Sequence, residues 1–269
     1  MTTRGWLFGT LMCTALAAPQ PLTAMQSLVG LVPSYPAADT PLHRARLPFG
    51  PGEELRFSVR SSRLGEIGEA VMKVTGPDTV RGIEAVVLAF DFSAKVLFFK
   101  ASDRTRSWLD PESLRSLRFT KRERSPLSGR DENVEIFPDD QRWTAGQDTA
   151  VMPTQVPLDE LSFLYFIRTL PLEAGAVYTF DRHFDARRNP VSIAVLARDS
   201  VIDDSGLRDV IVVEMRVPDL RQENGQGRIR LHLTDDERRI PLRLETSMPI
   251  GGTMVMTLEA HSPAIAQRR

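Results

Sequence analysis

The hexapeptide Leu55-Arg56-Phe57-Ser58-Val59-Arg60 alternates apolar and polar side chains without a break. Successive side chains of an extended strand point to opposite faces, so this spacing specifies a strand with one dry and one wet face. The same period governs most of the chain downstream. Ala70, Met72 and Val74 follow Gly65 and Gly68, and Gly76-Pro77-Asp78 carries turn chemistry that should end that run. Residues 83–92 are almost continuously apolar, as in a strand covered on both faces. Residues 101–109 and 114–124 flank Asp110-Pro111-Glu112-Ser113, a hairpin in which proline suits the second position of a type I turn. Residues 133–137 and 142–145 flank Asp139-Asp140-Gln141 as a further hairpin.

Only residues 158–170 break this period. Leu158, Leu161, Leu164 or Tyr165, and Arg168 recur at helical spacing, Asp159 and Glu160 stand at the end that the helix dipole favours, and Pro171 stops the run. Strands resume at 177–184, 191–198, 207–217, 228–234, 242–248 and 253–260, separated by Asp203-Asp204-Ser205-Gly206, Asn224-Gly225 and Asp235-Asp236-Glu237. The expected fold is mainly β: a large curved antiparallel meander or incomplete barrel with one helix packed against it. A sheet of more than about ten strands must curl or close.

The termini read differently. Residues 1–24 have the pattern of a secretory signal peptide, with Arg4 ahead of an apolar stretch from Trp6 to Ala18 and small residues at two exits, Ala15-Leu16-Ala17 and Leu22-Thr23-Ala24. That stretch is too short to span a bilayer, which takes about 20 apolar residues. Met12 precedes Cys13 where a lipoprotein signal needs a small residue, so Cys13 belongs to the apolar region. Residues 25–51 form a proline-rich leader, 52–261 a single β-rich domain and 262–269 a tail.

The whole chain has 34 Lys plus Arg against 35 Asp plus Glu and 42% apolar residues, the composition of a folding protein and not of a polyanion binder. Cleavage would remove Arg4 and the single cysteine, leaving 33 basic and 35 acidic residues and no disulfide.

Six stretches carry a further signal. Phe49-Gly50-Pro51-Gly52-Glu53-Glu54-Leu55 precedes Gly65-Glu66-Ile67-Gly68, and Asp103-Arg104-Thr105-Arg106-Ser107-Trp108-Leu109-Asp110-Pro111 leads into Leu117-Arg118-Phe119. Leu164-Tyr165-Phe166-Ile167-Arg168-Thr169-Leu170 marks the helix, and Thr234-Asp235-Asp236-Glu237-Arg238-Arg239-Ile240-Pro241 introduces the closing strands. Together they resemble the domain-of-unknown-function family 3108 of exported bacterial proteins, over about residues 48–261. The resemblance implies a periplasmic envelope protein with a sheet similar to lipoprotein-carrier or lipocalin-like folds. It carries over no catalytic or binding residue. Arg106 stands where the family pattern leads one to expect an acidic or neutral residue.

The chain contains no HExxH, no paired cysteines, no Gly-x-Ser-x-Gly and no P-loop. His43, His183, His232 and His261 lie far apart, and the acidic pairs fall at turns without the spacing of a calcium loop. We therefore expect no metal, no cofactor and no catalytic residue.

The positive feature is a basic hairpin with Lys100, Arg104, Arg106, Arg115, Arg118, Lys121, Arg122, Arg124 and Arg130. If Leu109 pairs with Leu114, then Arg104, Arg106 and Trp108 share a face with Arg115, Leu117 and Phe119. The candidate ligand-binding residues are Arg104, Arg106, Trp108, Arg118, Phe119, Tyr165 and Arg168. A slip of one residue instead puts the arginines on a solvated face; Tyr165 also suits the core, and Arg168 suits nearby carbonyls. Met248, Met254 and Met256 fit either an adaptable pocket or an irregular core.

The resulting functional expectation is a non-enzymatic carrier or binding protein for an apolar or anionic amphiphilic envelope molecule. The alternatives are an assembly or scaffolding factor that binds an envelope protein, and a hydrolase of envelope polymers. No nucleic-acid partner and no transmembrane segment in the mature chain are expected.

Overall fold

The computed structural model describes residues 47–96, 98–126, 129–203, 206–220, 225–248 and 252–265. The expected signal peptide, most of the leader and the last four residues lie outside the described residues. Eight strands come first: β1 (Glu54–Ser61), β2 (Gly65–Val80), β3 (Ile83–Val96), β4 (Phe99–Asp110), β5 (Arg115–Arg124), β6 (Gly129–Phe137), β7 (Arg142–Ala145) and β8 (Asp148–Val151). The helix α1 (Glu160–Ile167) follows, then β9 (Val177–Phe180), a 3₁₀ turn (Ala186–Arg188), β10 (Val191–Asp203), β11 (Gly206–Asp219), β12 (Gly225–Thr234), β13 (Pro241–Met248) and β14 (Gly252–Ser262).

All fourteen strands belong to one sheet, in the order β8-β7-β6-β5-β4-β3-β2-β1-β14-β13-β12-β11-β10-β9, and every neighbouring pair is antiparallel. The chain makes two meanders joined where β1 pairs with β14 (Val59 opposite Met256). The alternation that opened the sequence reading is the register of β1: Leu55, Phe57 and Val59 are buried while Arg56 and Arg60 are exposed.

One apolar cluster unites β1–β3 with β10–β14 and α1, so the sheet curls and its two halves face each other across the helix. Right-handed twist makes such curling natural for a long sheet. Fourteen strands remove a large apolar area from water without any disulfide, each buried Phe or Leu contributing about 1.5–3 kcal/mol.

One local expectation fails. Gly76-Pro77-Asp78 does not end β2; it is a bulge inside it, where the pairing with β3 shifts between Thr75 and Asp78 and Gly76 takes φ +131°. Proline has no N–H for the ladder and is accommodated at a bulge, so the turn falls at Arg81-Gly82 instead. Phe49 is 5% exposed in the main core, and Pro51 accepts a backbone bond from Ile265.

The helix is placed by its N-cap. Asp159 is fully buried and accepts from the backbone N–H groups of Leu161 (3.0 Å) and Ser162 (2.9 Å), while Ser162 Oγ accepts from Asp159 N. This capping box is tied to the sheet, because Ser107 Oγ of β4 donates to Asp159 (2.5 Å) and Ser116 Oγ of β5 bonds Ser162 Oγ (2.9 Å).

Candidate functional site

The curl leaves a pocket of about 260 Å³ between α1 and the inner face of the sheet. Met72, Phe90, Leu161, Leu164, Ile229, Leu244, Met254 and Met256 give it apolar walls drawn from both meanders. Inward placement follows from strand parity: Met72 opposes Leu55, and Met256 opposes Val59, on the dry face that β1 defines. Met254 and Met256 thus line a pocket, one of the two roles their sequence context allowed.

One side of the pocket is polar. Asp103 and Thr105 of β4, Lys121 of β5 and Glu160 of α1 line it. Lys121 Nζ lies 3.2 Å from Asp103 and 3.9 Å from Glu160, and Arg188 reaches Glu160 at 3.0 Å. Burial disfavours the charged form of Lys121, but the carboxylates of Glu160 and Asp103 outweigh it and raise its pKa. Burial likewise opposes ionisation of Glu160, yet Lys121 and Arg188 hold its pKa below the usual carboxylate range. Nearby Glu132 is pushed up, first by burial and then by the Glu160 charge. Glu160 Oε2 is a buried acceptor with no hydrogen-bond partner among the described residues.

The residues proposed from sequence occupy three separate places. Arg104, Arg106, Trp108 and Arg118 share the outer face of β4 and β5, where Trp108 opposes Arg118 and Arg104 opposes Arg122. Most are already engaged. Arg106 makes a two-pronged bond to Asp91 (2.8 and 2.9 Å), Arg118 donates to Glu135 (2.5 Å) and lies over the Trp108 ring, and Trp108 Nε1 donates to Asp78 (2.7 Å).

Phe119 points the other way. It is 1% exposed on the inner side, against Phe184. The cause is register. Leu109 pairs with Ser116 and not with Leu114, because Leu114 sits in the turn at φ +52°; a bulge between Trp108 and Leu109 then adds one residue. The turn displaces the pairing by two and keeps the faces; the bulge displaces it by one and exchanges them.

Tyr165 and Arg168 lie in the core and do not line the pocket. Tyr165 is 1% exposed, packed edge-on against Phe49 at 4.9 Å, and burial raises its hydroxyl pKa. Arg168 donates to Glu53 Oε1 (2.6 Å) and Oε2 (3.2 Å) and to the carbonyls of Pro48 (2.8 Å) and Arg238 (3.0 Å). It fastens the entry to β1 and the β12–β13 turn to the helix.

Sequence reasoning missed Lys121 and Glu160 as lining residues. The period-two pattern did hold a sign of the first, since Lys121 falls on the parity of Phe119 and therefore faces inward.

Among the described residues no group of three His, Cys, Asp or Glu is arranged to hold a metal ion, and no helix is long and apolar enough to cross a membrane. His183 is 1% exposed and accepts from Asp185 N at Nδ1 (3.0 Å); burial lowers its pKa to about 4.

A comparison with curated proteins finds no match. Among solved structures, a β-barrel-like protein of domain of unknown function DUF1849 from Brucella abortus is similar, with a TM-score of 0.56 and 14% identity over 81% of this chain and 99% of that one. At that identity the likeness concerns the fold, and it agrees with a curled antiparallel sheet. The family model for proteins of unknown function DUF3108 matches residues 56–259, which takes in twelve whole strands and most of β1 and β14, and the chain belongs to that family.

Proposed function

We propose that this protein is an exported, non-enzymatic binding protein or carrier for a small apolar or amphiphilic molecule, held in the pocket beneath α1. The observation that carries the reading is the pocket itself: a space of about 260 Å³, walled by flexible and branched apolar side chains between the helix and the inner face of the sheet. Ligand pockets run from about 300 to 1,000 Å³. This one therefore takes a short chain or one end of a longer one. Methionines at three of its walls allow the shape to adapt.

The polar side restricts the head group. Lys121 is already shared between two carboxylates, so a bare anion meets as much repulsion as attraction. Glu160 Oε2 needs a donor. A head that offers both an acceptor and a donor, such as a hydroxyl, an amide or a zwitterion, answers both needs better than a simple carboxylate. The signal-like residues 1–24 support export and a periplasmic location.

Native mass spectrometry of protein purified gently from an exporting host tests the reading. A bound species of acyl-chain or lipid-fragment mass is the expected result. A ligand-free protein that also takes up no acyl or phospholipid probe would refute it.

A further inference from the structure

The two ends of the sheet differ in chemistry. At one end stand the β1–β2, β3–β4 and β11–β12 turns, and each carries an exposed apolar side chain: Leu64 (52% exposed), Phe98 (95%) and Leu220 (45%). Around the first two the exposed cations Arg60, Arg63, Lys95 and Lys100, none in an ion pair among the described residues, outnumber the exposed carboxylates Glu66 and Glu69. Turns at the other end carry Asp110, Asp139, Asp140, Asp235 and Asp236, which have arginines beside them. That end also shows exposed apolar side chains, Ile202 and Leu207, but without such a basic collar.

The pocket lies toward the basic end. Thr246 and Met254 lie next to the β13–β14 turn there, and Lys121 is three residues from the end of β5. The Arg168–Glu53 pair closes the opposite end.

We propose that the Leu64, Phe98 and Leu220 end docks on the surface of an anionic phospholipid bilayer. Apolar tips seated at the headgroup boundary with unpaired lysines and arginines around them are the chemistry of an interfacial contact, and the positive collar is complementary to anionic headgroups. A single exposed apolar residue is ordinary on a protein surface, but three on turns at one end, two of them beside unpaired cations, are a surface with a direction. Docking there turns the pocket toward the membrane. The inference deepens the binding reading, yet it stands on the turns alone.

Sedimentation with vesicles tests it, using phosphatidylcholine alone and phosphatidylcholine with a third phosphatidylglycerol. The protein should partition at least about tenfold more strongly to the anionic vesicles, and added salt should weaken the binding. Phe98→Ser should weaken it about tenfold or more. The double change Lys95→Glu, Lys100→Glu should weaken it about twentyfold or more. All three positions are exposed, so circular dichroism should show an unchanged fold.

No preference for anionic vesicles, or variants that sediment like the parent, overturns the proposal. Leu164→Trp, which fills the pocket, should leave docking unchanged; loss of sedimentation in that variant overturns the proposal by showing that the pocket captures lipid. Docking without probe uptake would refute the carrier reading and leave this one standing. Probe uptake without docking would do the reverse.

Discussion

Replacing Glu53 by alanine should be among the most damaging single changes in the protein. The carboxylate is 2% exposed and gives Arg168 two of its four acceptors, at 2.6 and 3.2 Å. A guanidinium cannot shed its proton, so Arg168 would stay charged in the core with only the Pro48 and Arg238 carbonyls. Breaking one side of a buried pair costs about 3–5 kcal/mol. For a domain of this size each kcal/mol is about 2–4 °C, so the midpoint of thermal unfolding should fall by about 6–20 °C. Differential scanning calorimetry and urea unfolding measure both quantities. The double change Glu53→Leu, Arg168→Met should recover most of the loss, since apolar replacement of a buried pair is often neutral or stabilising. A loss of under about 1 kcal/mol for Glu53→Ala would refute the reasoning, because that is the scale of a solvated surface pair.

Other consequences follow from the same geometry. Phe119→Ala should cost about 3–5 kcal/mol by chemical denaturation while Arg104→Ala stays within about 0.5 kcal/mol, and equal effects would contradict the register of β4 and β5. His183, neutral and buried, has a folded pKa of about 4 against 6.5. Its contribution is therefore present above the unfolded pKa and lost as pH falls toward 4, a difference of about 3 kcal/mol. His183→Asn keeps an acceptor for Asp185 N and cannot titrate, so between pH 7 and pH 4 it should lose less stability than the parent. Identical pH profiles of the urea midpoint would contradict this.

Much of the fold was legible because period-two alternation is a local property. Leu55 to Arg60 and Arg228 to Leu233 announce their faces without any partner, and Asp159 announces the helix start. What sequence could not supply was parity across a hairpin. The candidate face on β4 and β5 depended on an unbroken register, and the one-residue bulge between Trp108 and Leu109 separated Phe119 from the arginines.

Arg168 illustrates a second limit. Carbonyl partners were one of the roles its sequence position allowed, but its carboxylate lies 115 residues away and no periodicity links the two. The pocket is legible least of all. Its walls come from seven strands and the helix, each contributing one to three residues, and Met254 and Met256 were the part of it that the sequence hinted at. The signal-like segment at residues 1–24 is, by contrast, a pattern that only the sequence carries.

The central claim, that the space beneath α1 receives an apolar chain, is tested most directly by titrating a fluorescent fatty-acyl probe into the parent protein and into Leu164→Trp. Saturable uptake at one site by the parent, with loss of about tenfold or more in the variant at unchanged thermal stability, is the predicted result. Equal uptake by both proteins, or none by either, would contradict it.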